Sequence, residues 1–241
     1  MRIALSTNWN AARHEAGELL VDEILGMGFD ALELGYLTTE ELAAGVRRKV
    51  EAGEVVVDSV HAFCPVPLGA PHGYHELYLL ASKDDDDRAM AAIMLRRTLE
   101  FGASIGARAV VLHAGRVFLD AWYSKLHTGT LVNALENEGA IEAPAYQRLL
   151  AKARRRRTAR VRKIFDRFCL SLNTLLPEFE KAGLALCLEN LPSIEAFPDE
   201  GEMAMLKRRF DTPALAYWHD MGHGQVRANL GLIRHVDAAR A

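Results

Sequence analysis

The feature that most constrains this chain is an alternation. Short apolar runs recur at residues 3–6, 31–34, 55–60, 109–112, 184–188 and 215–218, each followed by a longer segment with helical periodicity. Repeated βα units of this kind assemble into a parallel sheet whose faces are both covered, which is why Val55-Val56-Val57 and Ala109-Val110-Val111-Leu112 are continuously apolar rather than alternating. The pattern predicts an α/β fold built on parallel strands, and 241 residues, half of them hydrophobic, are enough for one domain with one sizeable core.

The helices are delimited by ordinary signals. Residues 15–27 read as a helix before Gly28, and residues 87–104 as another before Gly106, glycine being the usual stop. The run Asp84-Asp85-Asp86-Asp87 precedes the second, where carboxylates favour the positive end of the helix dipole, so it reads as structural rather than metal-binding. The basic run at residues 152–157 continues into a helix with Arg160, Arg162, Lys163 and Arg167. It reads as a solvated helix face in preference to a phosphate or nucleic-acid contact. With 29 basic and 32 acidic residues, the net charge of -3 gives no general attraction to nucleic acid or an anionic membrane. Three cysteines (Cys64, Cys169, Cys187) without a close pair suggest neither a disulfide framework nor a CxxC site, which fits a reducing cytoplasm. The N-terminal apolar run is too short for a signal peptide and no stretch approaches a membrane span, so the expectation is a soluble cytoplasmic protein.

Two connections after strands are long, as lids and binding loops often are. Residues 64–83 contain Pro65, Pro67, Pro71, His72, Tyr74 and His75, and residues 115–144 contain Trp122, Tyr123, Lys125 and His127.

The chemistry concentrates at the ends of apolar runs. His61, His113, Glu189 and Asp220 each stand at the carboxyl end of one, and in a (β/α) barrel those ends converge on one mouth. His223 lies three residues past Asp220, and Gly222 and Gly224 would permit a turn that brings the two together. Singly, each residue has a bland reading: a hydrogen-bonded histidine, a helix cap, a partner for a rim arginine. A charge that ends an apolar strand is costly unless paired or metal-bound, and the joint pattern of two carboxylates and the histidines points to a site. His219 adjoins Asp220 and should face the other way, so it is left out.

The stretches Ser59-Val60-His61-Ala62, Leu112-His113-Ala114-Gly115, Leu188-Glu189-Asn190 and His219-Asp220-Met221-Gly222-His223 resemble, in order, the strand-end motifs of the xylose isomerase-like TIM-barrel superfamily, which includes sugar and sugar phosphate isomerases and epimerases and the endonuclease IV family. The resemblance runs from Met1 to about Gly224. It implies that Glu189 and Asp220 ligate a divalent ion (Mn, Zn, Co, Fe or Mg). His223 is then a ligand or a catalytic, substrate-binding residue, while His61 and His113 are further ligands or line the substrate pocket with Asn190. It further implies a metal-dependent isomerase or epimerase of a small sugar, sugar phosphate or related polyhydroxy carbonyl compound, with Glu189 exchanging a proton next to the carbonyl and Glu189 and His223 as the catalytic pair. The alternatives are an endonuclease IV-like phosphodiester hydrolase and an inactive or incomplete barrel. The superfamily normally draws further ligands, including a second glutamate, from a seventh and eighth strand. Here the residues after Gly224 include His235 and Asp237, and residues 230–240 read as a helix. The expectation is therefore a single TIM-type barrel domain over residues 1–241 with six βα units visible and the last two lacking. Such a barrel would be completed by chain beyond Ala241, by a rearranged terminal segment or by a second subunit in a homo-oligomer. The expected partner is a small polyhydroxy substrate, not nucleic acid or a membrane.

Overall fold

The computed structural model describes residues 2–119 and 126–233. In chain order its elements are β1 (Leu5–Ser6), α1 (Gly17–Gly26), β2 (Ala31–Leu34), α2 (Glu40–Glu51), β3 (Val56–His61), α3 (Asp85–Ser104), β4 (Ala109–Leu112) and β5 (Gly115–Arg116). There follow α4 (Thr128–Glu138), α5 (Pro144–Ala182), β6 (Ala185–Glu189), β7 (Ala196–Phe197), α6 (Glu200–Arg209), β8 (Leu215–Trp218) and α7 (Met221–Asn229). Six strands form one parallel sheet in the order β1-β2-β3-β4-β6-β8, and β5 and β7 form a separate antiparallel pair. The alternation of apolar runs and helices is thus realised as six βα units, the architecture of a TIM-type barrel. Among the described residues, β1 and β8 each have one partner strand in that sheet.

Strand register sorts the side chains onto two faces. Leu34, Val60, Val110, Leu186 and Leu215 are register partners along one row and are completely buried. They belong to one core cluster with Leu20 and Ile24 of α1, Val46 of α2, Leu95 of α3 and Phe168, Leu172 and Phe179 of α5. The opposite face carries the row His61, Val111, Cys187 and Ala216, with Glu189 beside Trp218 two residues further along β6. Because side chains alternate along a strand, the apolar row that anchors the sheet to its helices leaves His61 and Glu189 on the inner face. On that face Ser59 donates to Glu33 at 3.0 Å, and a cavity of about 470 Å³ is lined by Arg2, Ser6, Glu33, Ser59, Arg108 and Trp218.

Several local expectations are met and several are corrected. Asp84 caps α3, accepting from the amides of Asp86 and Asp87. The 115–144 connection is not an open loop throughout, because β5 and α4 lie within it. Leu131 of α4 packs with Tyr146 and Leu150 of α5 in a second apolar cluster. Trp122, Tyr123 and Lys125 lie outside the described residues. The basic run is not simply a solvated face. Arg157 is clamped to Glu202 and to the carbonyls of Ile194 and Ala196, while Arg160 donates to the Leu119 carbonyl and Arg154 to the Gly231 carbonyl. These arginines tie α5 to the chain around it. The helix expected over residues 230–240 does not begin there, since α7 ends at Asn229 and Gly231 adopts a positive φ of 64°; His235 and Asp237 lie outside the described residues. No helix among the described residues is long and apolar enough to cross a membrane.

Helices α1 and α2 meet at a glycine pair. A Cβ on Gly17 would fall on the Leu42 carbonyl and within 2.9 Å of the Gly45 Cα. Gly17→Ala should therefore cost about 1–3 kcal/mol through overpacking. Urea unfolding checks this, and an unchanged midpoint would show that the two helices separate without penalty.

Candidate metal centre

The inner-face residues meet at the carboxyl ends of the strands. Glu189 is the last residue of β6, His61 the last of β3, and His113 follows β4 directly. Glu189 Oε2 lies 3.2 Å from His61 Nε2 and 3.0 Å from His113 Nε2, and Glu189 Oε1 lies 3.2 Å from His223 Nδ1. His61, His113 and Glu189 are all buried, and His223 is partly exposed on the solvent side. Asp220 completes the group, with Oδ1 3.8 Å from His223 Nδ1. One donor atom from each of His61, His113 and Glu189, and likewise from each of Glu189, Asp220 and His223, falls within 4.8 Å of the others. Glu189 belongs to both groups.

Burial opposes ionisation of Glu189, yet the hydrogen bonds from His113, His223 and His61 hold its carboxyl well below the usual carboxylate range. His113 feels the reverse: burial lowers its proton affinity, and the carboxylates of Glu189 and Glu76 more than restore it. His223 is raised mainly by its hydrogen bond to Glu189. A concentrated negative charge thus has to be met by positive charge at one point.

The proton inventory fits a cation there. His61 Nδ1 lies 3.0 Å from the Ala62 carbonyl oxygen, which can only accept, so Nδ1 carries a proton and Nε2 is the nitrogen presented to Glu189. His223 differs, because its Nδ1 lies 2.9 Å from the Asn190 carbonyl and also 3.2 Å from Glu189 Oε1, so both contacts fall on one nitrogen. In His61 one nitrogen is held by a carbonyl while the other meets a carboxylate oxygen, which is the usual arrangement of a metal ligand. The mixed nitrogen and oxygen set suits a divalent transition ion.

The five residues singled out for the centre come together. How Asp220 meets His223 differs from expectation. No turn at Gly222 or Gly224 is involved, and neither has a positive φ. Instead Asp220 is the N-cap of α7 and accepts from the His223 amide at 2.6 Å, so the first turn of a helix sets the spacing. The helix-cap reading and the site reading of Asp220 hold at once, because one carboxylate oxygen can cap while the group stays at the cluster. Asn190 is fully engaged: its Oδ1 accepts from the Asp220 amide at 2.6 Å and its Nδ2 donates to the Asp220 carbonyl at 3.0 Å. It braces the end of β6 against the entry to α7 rather than offering its amide to the pocket. His219 stands off the cluster, its ring 5.9 Å from that of Tyr217. Sequence reasoning missed Glu76, which lies 3.7 Å from His113 Nδ1 and is bound by Arg116, and it missed Tyr36, whose ring meets His61 and His75 at 5.3 and 5.0 Å. His75 stood in a loop already marked as long; the only signal for Glu76 was its place beside it.

The parallel βα sheet has the architecture of a TIM-type barrel, and the carboxylate and histidine cluster at its strand ends could hold a metal ion. A family model, the xylose isomerase-like TIM barrel, matches residues 21–240, and the chain belongs to that family. Among solved structures it is similar to 3-keto-D-glucoside 4-epimerase from E. coli, with 16% identity and a TM-score of 0.61 over 100% of this chain and 74% of that one. It is also similar to a D-tagatose 3-epimerase-like protein, with 17% identity and a TM-score of 0.60 over 93% and 66% of the two chains. A third is D-psicose 3-epimerase from Clostridium cellulolyticum H10, with 13% identity and a TM-score of 0.59 over 93% and 65%. These are likenesses of fold, and the chain spans about two thirds to three quarters of the length of those structures. A comparison with curated protein sequences returned no match.

The brace at Asn190 is directly testable. Asn190→Ala leaves the part-buried Asp220 amide without its partner and removes one of the two donors to the Asp220 carbonyl, which keeps the Gly224 amide, and should lower stability by about 1–3 kcal/mol. Chemical denaturation measures it; a variant as stable as the parent would remove Asn190 from the account of how Asp220 and His223 are held.

Proposed function

We propose that this single (β/α)-barrel domain is a metal-dependent isomerase or epimerase of a small sugar, sugar phosphate or related polyhydroxy carbonyl compound. The observation that carries the reading is the convergence of His61, His113 and His223 on the Glu189 carboxylate, with Asp220 alongside, at the strand-end face where barrels of this family place their chemistry. Glu189, Asp220 and His223 would hold a divalent ion, with His61 and His113 as further ligands on the buried side. When bound, such an ion supplies Lewis-acid stabilisation of negative charge on substrate oxygens.

The chain's own residues do the rest. Glu189, held ionised, accepts the proton from the carbon next to the substrate carbonyl and returns it. His223, the most open of the three histidines, faces incoming substrate, and His61 and His113 back the Glu189 carboxylate from the buried side of the pocket. Tyr36 packs edge to face on His75 and Tyr74 lies tilted against it, forming an aromatic wall beside them. The internal engagement of Arg154, Arg157 and Arg160 reduces what α5 could offer a nucleic-acid backbone, which favours a small substrate over a phosphodiester polymer.

The experiment is a screen of ketoses and their phosphates in D2O with Mn²⁺ or Co²⁺, read as deuterium at the carbon next to the carbonyl. At least one compound should exchange, and Glu189→Gln should slow that exchange by about 100-fold or more. Absence of exchange with every compound, together with salt-sensitive binding to abasic DNA, would replace this reading with the hydrolase.

A further inference from the structure

We propose that Glu76 is a positioning residue of this centre: anchored by Arg116, its carboxylate fixes the proton of His113 on Nδ1 and so turns the Nε2 lone pair toward Glu189 and the ion. The inference rests on the metal-centre reading above and extends it to the 64–83 connection. Glu76 belongs to that connection, yet its side chain is only 6% exposed. Arg116 Nε donates to Glu76 Oε2 at 2.6 Å, and Arg116 is itself held in place by the pairing of β5 with β7. The second oxygen, Oε1, lies 3.7 Å from His113 Nδ1. Both atoms are buried and neither has another hydrogen-bond partner. A buried acceptor and a buried donor that face each other with no alternative can only satisfy one another, and closing by under about 1 Å makes the hydrogen bond. The His75 ring, 4.5 Å from that of His113, and the His61 ring, 5.1 Å away, hem the imidazole in. A carboxylate behind a ligating histidine orients the ring and raises its basicity, and its loss typically costs 10–100-fold in metal affinity.

A competing role is visible at the same place, since His75, Glu76 and His113 also bring one donor atom each within 4.8 Å, a geometry that could hold a second ion directly. The test titrates Mn²⁺ calorimetrically into the parent chain, Glu76→Gln and Glu76→Ala, and records ¹H–¹⁵N correlations of the histidine rings on labelled protein without metal. The isosteric Gln variant covers the case in which Ala does not fold. The expected result is one ion per chain throughout, bound about 10–100-fold more weakly in the variants, and a slowly exchanging His113 Nδ1 proton in the parent that Glu76→Ala loses. Equal affinities in all three proteins would overturn the proposal, as would a second ion in the parent that the variants lose. Should the parent bind no ion, the metal-centre reading fails, and the ring spectra still decide Glu76: a protected Nδ1 proton lost in Glu76→Ala supports it, and no such proton in the parent refutes it.

Discussion

Glu189 ends a strand whose preceding residues are apolar and buried, and a carboxylate in that position cannot stand alone. Three imidazoles reach it from three different elements. Much of the architecture serves that meeting. β3 and β4 bring His61 and His113 because strand register places them beside β6, and the first turn of α7 brings His223 because Asp220 caps it. Asn190, next to Glu189, ties β6 to the start of that helix with two bonds to the Asp220 backbone. The charged centre and the apolar rows behind it are two faces of the same strands, so the packing that holds the sheet also aims the side chains of the cluster.

The periphery follows the same logic. The arginines of α5 are anchors: Arg157 holds the segment before α6 by the carbonyls of Ile194 and Ala196 and α6 itself by Glu202, and Arg154 holds the turn after α7. Both segments flank the strand ends from which the site is built. Glu76 and Arg116 do for the 64–83 connection what Asn190 does for α7, joining a connecting segment to a residue of the cluster. A site assembled from strand ends far apart in sequence needs such ties, because strand ends alone fix positions but not ring orientations.

Much of this was legible in the sequence, and the reason is physical. Apolar runs of four to six residues separated by helical periodicity admit few folds, so the six strands were readable to within a residue or two of their bounds, apart from the first, where only Leu5 and Ser6 pair. His61, His113, Glu189 and Asp220 were conspicuous as polar residues at the carboxyl ends of such runs. Orientation was harder. The side chain of Asn190 turns to a backbone segment 30 residues away, a contact that leaves no local pattern. Gly222 and Gly224 suggested a turn where the chain simply enters a helix. Glu76 lies in a loop rich in proline and glycine, where no periodicity marks a buried position, and its burial follows from Arg116, 40 residues further on. The arginines of α5 carried the composition of a solvated face, and only tertiary contacts reveal them as anchors.

The account turns on a cation at Glu189. X-ray diffraction from crystals soaked in Mn²⁺ or Zn²⁺, with anomalous differences collected at the metal edge, tests it most directly. The prediction is an ion at about 2.0–2.2 Å from a Glu189 oxygen and from a histidine nitrogen, with Asp220 turned toward it. Ion-free density at Glu189 in crystals that carry the metal elsewhere, with the three histidines still packed on the carboxylate, would contradict the account and leave the cluster a buried network of charged imidazoles.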